Sequence, residues 1–274
     1  MGTVTFKVDA ALLRELGERL VGKPHVALAE LIKNAYDADS TLVELTIQPD
    51  RIIVADNGHG MDLDEFLGYW MRIGSPHKEK QRASPGGRSL TGQKGIGRLA
   101  VQFLGRRLKL VTKTARGSTA LVTGVDWDEA VKKGELTSVE LEYDQVVPSE
   151  KFPDDSNQGT ILTISRLAQD WTSEELKDLA LEIWSLQPPF EPSDKATDFK
   201  TVIVDAPAES LKAFNLYTQA FRALWHARIV GKLEPPSTPT GPGRCNITVF
   251  FDDKTKEKWL IRLMRSEFHA ARRF

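Results

Sequence analysis

One cysteine, Cys245, occurs in 274 residues, so no intrachain disulfide can form. This excludes the disulfide-stapled scaffolds of small secreted proteins. The opening "MGTVTFKVDA" lacks a basic stretch followed by an apolar one, so no signal peptide and a cytoplasmic location are expected. No apolar run approaches the roughly 20 residues of a membrane helix, so no membrane partner is expected. Charge of one sign is also missing: the formal net charge is −1, which gives no global attraction to nucleic acid or lipid. The histidines are few and scattered (His25, His59, His77, His226 and His269), with no pair at helical metal-ligand spacing, which argues against zinc. There is no internal repeat and no long low-complexity tract. What remains, 41% hydrophobic and 27% charged residues, is the balance of a globular chain.

The elements follow from pattern. "ALLRELGERLV" reads as a short helix broken at Gly22 to Pro24, and "ALAELIKNAYDADS" as the next one. "TLVELTIQP" and "RIIVADNG" read as strands paired in a hairpin through Pro49 and Asp50. "LDEFLGYWMRIG" is helical, with Asp62 as N-cap. The polar stretch around 75–91 has no apolar periodicity and reads as a lid-like loop. "GIGRLAVQFLG" opens a helix, and "RLKLVTKT", "TALVTGVDW", "SVELEYDQVV" and "GTILTISRL" read as strands. "TSEELKDLALEIWSL" carries a Thr-x-x-Glu capping box, and "FKTVIVDA" adds a strand. Mostly antiparallel neighbours favour α+β over a doubly wound sheet. After Ala206 the pattern loosens into a helix, a Pro/Gly-rich connector and a hairpin from "CNITVFFDD" and "KWLIRLMR".

Three segments carry chemistry. In the second helix Ala27, Leu28, Leu31, Ile32, Ala35 and Ala38 share an apolar arc, and Glu30, Asn34 and Asp37 form a stripe beside it. Two acids and an amide gain little from one another. They make sense around a ligand, with Asn34 as a hard oxygen donor to Mg²⁺ and Glu30 placing a water; an exposed polar stripe is the plain alternative. In "VADNGHGMD" a strand ends in Asp56, followed by Gly58 and Gly60. Asp56 could accept from the exocyclic amine of a flat base lying against those glycines, or the segment could be an ordinary turn. In "TGQKGIGRLA", Gly92, Gly95 and Gly97 stand at a helix mouth, where free N–H groups and the helix dipole attract phosphate. It lacks the Gly-Lys-Ser/Thr ending of a P-loop.

Together, "ELIKNAYDAD", "DNGHGMD", "GQKGIG" and "GTILTI" resemble, in order and spacing, the four motifs of the GHKL ATPase superfamily. That group contains DNA gyrase B, the Hsp90 chaperones, the MutL repair proteins, the MORC proteins and histidine kinases. The resemblance covers roughly residues 10–206. "GQKGIG" is most similar to the Hsp90 form, and "RIGSPHK" to a MORC-type lid entry; Arg98 departs from the aromatic common in Hsp90-like chains.

The resemblance implies a Bergerat two-layer sandwich, a mixed and mostly antiparallel sheet covered on one face by helices that hold ATP. It implies an ATP-binding domain over 1–206, with a lid at about 75–91, and a helix plus β-hairpin over 207–274 that would begin a second domain. It implies Glu30 as general base and Asn34 as the holder of Mg²⁺. Asp37 and Ala38 would lie near the nucleotide, Asp56 would read the adenine amine, and Gly58, Gly60 and Met61 would form the floor and wall of the base pocket. Gly92, Gln93, Lys94, Gly95, Ile96 and Gly97 would wrap the phosphates, Ser75 and Lys78 would belong to the lid, and Thr160 would support the adenine-reading carboxylate through water. The implied activity is Mg²⁺-dependent ATP hydrolysis, slow in isolation, with ATP and ADP as ligands. Lid closure would drive an ATP-dependent homodimer or an interdomain change, and a downstream domain would reach a protein or nucleic-acid client. The alternative is a nucleotide-gated binding module with little turnover. A histidine kinase would need a phosphoacceptor on a dimerising hairpin, and the stretch before Glu30 offers only His25, beside Pro24.

Overall fold

Period-two alternation lays down the sheet. The computed structural model describes residues 8–12, 15, 22–72, 83–88, 90–91, 100–183, 186, 199–212, 214–215, 227–234, 243–251 and 256–263. Two compact units result, Met1–Thr218 and Gln219–Phe274.

In the first unit, strands β1 (Leu42–Ile47) and β2 (Arg51–Asp56) form the expected hairpin. Strands β3 (Gly105–Lys113), β4 (Ala120–Asp126), β5 (Tyr143–Val146), β6 (Gly159–Leu167) and β7 (Lys200–Asp205) complete a seven-stranded sheet of order β5-β4-β3-β6-β2-β1-β7. Every pairing is antiparallel except β1 with β7, so the α+β reading holds. The strand expected over "SVELEYDQVV" shrinks to Tyr143–Val146. Leu136–Ser138 instead takes a 3₁₀ turn, and all four residues of β5 are exposed, so no buried face enforces a longer strand.

Helices α1 (Pro24–Asp37), α2 (Leu63–Glu65, continued by a π-helical turn over Phe66–Trp70), α3 (Ala100–Leu104), α4 (Trp127–Lys132) and α5 (Ser173–Ile183) belong to the same unit. Pro24 suits the first turn of α1, where its missing N–H costs nothing. α1 ends in a Schellman cap: Ser40 N–H donates to Ala35 O and Asp39 N–H to Tyr36 O, with Asp39 left-handed at φ 59°. Asp62 caps α2 through a reciprocal box with Glu65. Thr172 and Glu175 form the box expected at the head of α5, each backbone N–H donating to the other's side chain.

The core lies between helices and sheet. Leu28, Leu31, Ile32 and Ala35 of α1 and Leu176, Leu179 and Ile183 of α5 pack with Ile52, Val54, Leu108, Leu110, Leu162 and Ile164 of the strands. Each of these Leu, Ile and Val side chains contributes about 1.5–3 kcal/mol on burial. Strand residues of the other parity, Ala55, Val111 and Ile161, form a smaller cluster with Ala120 and Phe152.

The second unit holds a three-stranded antiparallel sheet of β8 (Ala227–Glu234), β9 (Gly243–Phe251) and β10 (Lys256–Leu263). β9 and β10 are the hairpin read from sequence. β8 is a strand that the sequence pattern between the helix read after Ala206 and the Pro/Gly-rich connector does not signal, its alternation being interrupted by Gly231. Among the described residues no helix is long and apolar enough to cross a membrane.

Candidate functional site

Three neighbouring strands each end a core-facing row in a polar residue. On β2 the row is Ile52, Val54, Asp56; on β6 it is Ile164, Leu162, Thr160; on β3 it is Leu108, Leu110, Thr112. Register aligns the three ends, with Asp56 opposite Thr160 and Thr160 opposite Thr112. Val43 and Leu121 flank this polar line on the next strands.

Asp56 is buried, and its Oδ1 accepts from Gly58 N–H at 2.8 Å. Burial pushes its carboxyl up to about 6, against the lowering pull of the Gly58 N–H, the nearby His59 and the Thr160 N–H. A buried carboxylate met by main-chain N–H groups is a strong hydrogen-bond acceptor.

The glycines bring the backbone close. Gly60 has φ +65°, and a Cβ there would lie 2.1 Å from Lys113 O and 3.1 Å from Gly159 O. A Cβ on Gly58 would lie 2.8 Å from Ala38 O and 2.9 Å from Asp56 Oδ1. The His59 N–H donates to that same Ala38 carbonyl at 2.9 Å. Met61 N–H donates to Thr112 Oγ1 at 2.9 Å. Ala38, Asp56, Gly58, Gly60, Met61 and Thr160 therefore converge on one end of the sheet.

Along α1 the stripe is real. Asp37 is buried, Glu30 and Asn34 half-buried. Asp37 Oδ1 accepts from both N–H (2.8 Å) and Oγ1 (2.9 Å) of Thr91, so this carboxylate holds the end of the expected lid. Glu30 lies about 12 Å along the axis from Ala38, at 1.5 Å per residue. Its Oε1 accepts from Lys33 Nζ at 3.1 Å, and Lys33 reaches Glu182 of α5 at 3.2 Å. Burial lowers the Lys33 ammonium, but the hydrogen bonds and charges of Glu30 and Glu182 outweigh it and raise the group above its ordinary value.

Residues 84–88 of the expected lid form a strap on the C-terminal end of α1. Asp39 accepts from Ser84 Oγ at 2.5 Å and from Gly86 N–H at 2.7 Å. Arg88, 6% exposed, donates to Ser40 O at 2.6 Å and Tyr36 O at 3.2 Å, and lies 4.8 Å over the Tyr36 ring and 5.8 Å from that of Phe199. A cation is well placed against the carbonyls of a helix C-terminus.

Ser75, Lys78 and the run Gly92, Gln93, Lys94, Gly95, Ile96 and Gly97 lie outside the described residues. Thr112, Arg88, Asp39 and Lys33 were not singled out by sequence. The Thr112 signal was available: in "RLKLVTKT" a Thr takes the next core-facing place after Leu108 and Leu110. Arg88 had none, since an Arg in a polar loop reads as solvated.

Two comparisons bear on this arrangement. Over 89 residues the chain is 37% identical to a putative type II restriction enzyme, HgiDII, of Herpetosiphon aurantiacus; the match spans 32% of this chain and 15% of that protein's length. The family described as histidine kinase-, DNA gyrase B- and HSP90-like ATPase matches residues 22–160, which runs from the start of α1 through Asp56 to Thr160. The chain belongs to this family of GHKL-type ATPase domains.

Proposed function

We propose that the chain binds ATP with the adenine on the Asp56 row and hydrolyses it with Glu30 as general base. The observation that supports this most is Asp56, a buried carboxylate pushed up to about 6 at the end of its strand, beside a glycine turn packed closely against β3 and β6. Asp56 accepts the adenine amine, while Gly58, Gly60 and Met61 form the floor and wall and Ala38 closes the helix side. Thr160 supports Asp56 through water. Glu30 aims and deprotonates the water that attacks the terminal phosphate. Asp37 and Thr91 anchor the lid, to which Ser75 and Lys78 belong, and the Gly92–Gly97 run wraps the phosphates.

The donors fit Mg²⁺. Asn34 is a neutral hard-oxygen ligand one turn from Glu30, and Mg²⁺ takes few protein ligands where phosphates supply the rest. When bound, the ion offsets phosphate charge. Lid closure presents a surface for a second copy or for a following domain.

Calorimetry and phosphate release, run with Mg-ATP on wild type and Glu30→Ala, test the reading. Glu30→Ala should bind ATP within a few-fold of wild type and lose at least about 100-fold in turnover. Undiminished turnover would remove Glu30 from the mechanism.

A second reading is nucleotide-gated capture of a nucleic acid, favoured by the likeness to a putative restriction enzyme. Wild type that binds ATP but turns it over no faster than Glu30→Ala would favour it.

A further inference from the structure

The polar row contains one residue to which the proposed function gives no task. Thr112 is wholly buried. Its hydroxyl oxygen has three neighbours: Met61 N at 2.9 Å, Gly159 O at 3.2 Å and Thr160 Oγ1 at 3.1 Å. A hydroxyl owns one proton and two lone pairs. The Met61 N–H can only donate, so it takes one lone pair. The Gly159 carbonyl can only accept, so it takes the proton. One lone pair remains for the contact with Thr160, and the Thr160 hydroxyl must supply that proton. Thr160 is then left with lone pairs alone for anything that approaches it from the site.

We infer that Thr112 fixes Thr160 as a hydrogen-bond acceptor, and that this polarity, next to Asp56, makes the site select a base edge bearing an amino group over one bearing a carbonyl. Thr112 is a positioning residue: it touches Thr160 and the Met61 and Gly159 backbone, and acts on the base through Thr160. Two acceptors side by side suit the 6-amino group of adenine, or a water that must itself give Thr160 a proton. They oppose the 6-oxo group of hypoxanthine or guanine, which would face lone pairs with lone pairs. Such rejection is stronger than shape alone gives, because it leaves polar groups unpaired. The inference rests on the adenine reading of the Asp56 row.

The test is the ratio of ITP to ATP dissociation constants, measured by calorimetry with Mg²⁺ on the full chain. Thr112→Val keeps the side-chain shape and removes the hydroxyl, so the Thr160 proton becomes free to face the base. The ratio should fall at least about 10-fold, with ITP gaining on ATP. Thr112→Ser restores the hydroxyl and should hold the ratio within about twofold of wild type. A purely structural role would weaken both nucleotides alike, and an unchanged ratio in Thr112→Val overturns the inference. Should Thr112→Val fail to fold, Thr160→Val removes the acceptor itself and must show the same loss of discrimination; a wild-type ratio there overturns the inference equally. Wild type that binds neither nucleotide would instead overturn the proposed function.

Discussion

The two ends of the site are built from different materials. At the Asp56 end, position is set by strand register: three side chains stand in line because β2, β6 and β3 pair, and the glycine turn is packed against the same strands. At the Glu30 end, position depends on one helix and on side chains. Glu30 is held by Lys33, Lys33 by Glu182, and the far end of the lid by Asp37. A ladder of backbone hydrogen bonds moves little, whereas half-buried ion pairs exchange partners readily. The proposed function therefore assigns recognition to the rigid side and turnover to the adjustable side. Substitutions at the two ends should separate into losses of binding and losses of rate.

The largest effect expected at the rigid end is that of Asp56→Asn. Losing a charge-assisted hydrogen bond of about 1.5–3 kcal/mol weakens ATP binding about 10- to 150-fold. The same substitution should stabilise the ligand-free fold. A carboxyl raised from 3.8 to about 6 costs the folded state about 3 kcal/mol once ionised, and a neutral amide avoids that. Calorimetry and thermal melting of the free protein should move in opposite directions. A melting temperature that falls with affinity would mean that Asp56 is a structural acceptor only.

On the adjustable side, Arg88→Met probes how the strap is tied to α1. Methionine keeps the apolar stem and loses both carbonyl contacts and the cation–π contact with Tyr36. About 2–4 kcal/mol of stability should go, read as a fall of about 5–15 °C in melting temperature. The comparison of the two ends adds a sharper demand: ATP binding should suffer more than adenosine binding. Equal losses would mean that the strap supports the base end as well.

What the sequence disclosed follows the same division. The strands, the β1–β2 hairpin and the Asp56 turn were legible because period-two alternation and Gly-x-Gly carry their physics locally. The Glu30 stripe was legible because helical periodicity exposed three polar groups beside an apolar arc. Thr112 was legible only in principle, since its meaning depends on a cross-strand partner about 50 residues away in the chain. The strap was not legible. Asp39 reads as a turn residue and Arg88 as a solvated one, and only tertiary structure brings the guanidinium under Tyr36 and Phe199. Strand β8 was missed for a related reason: a short alternation broken by Gly231 is outweighed by the helical composition before it.

The smallest predicted effect is also the most specific to the rigid end. The Asp56 carboxyl stands at about 6 in the free protein because burial disfavours its charge. The folded form thus holds a proton that the unfolded chain has already released. This group's stabilising contribution is complete below about pH 3.8 and is lost as pH rises through about 6. The ionised form accepts an amine more strongly than the protonated one, so nucleotide binding should lower this carboxyl and expel its proton. At pH 6 about half a proton should leave per ATP bound, and affinity should be about twofold weaker than at pH 7.5. Calorimetry at pH 6 in two buffers of different ionisation enthalpy measures the proton directly. The His59 ring lies beside this carboxyl, with its Nδ1 donating to Gly60 O, so Asp56→Asn is the necessary control. If the expelled proton persists in Asp56→Asn, it comes from another group, and the buried carboxylate is not what meets the base.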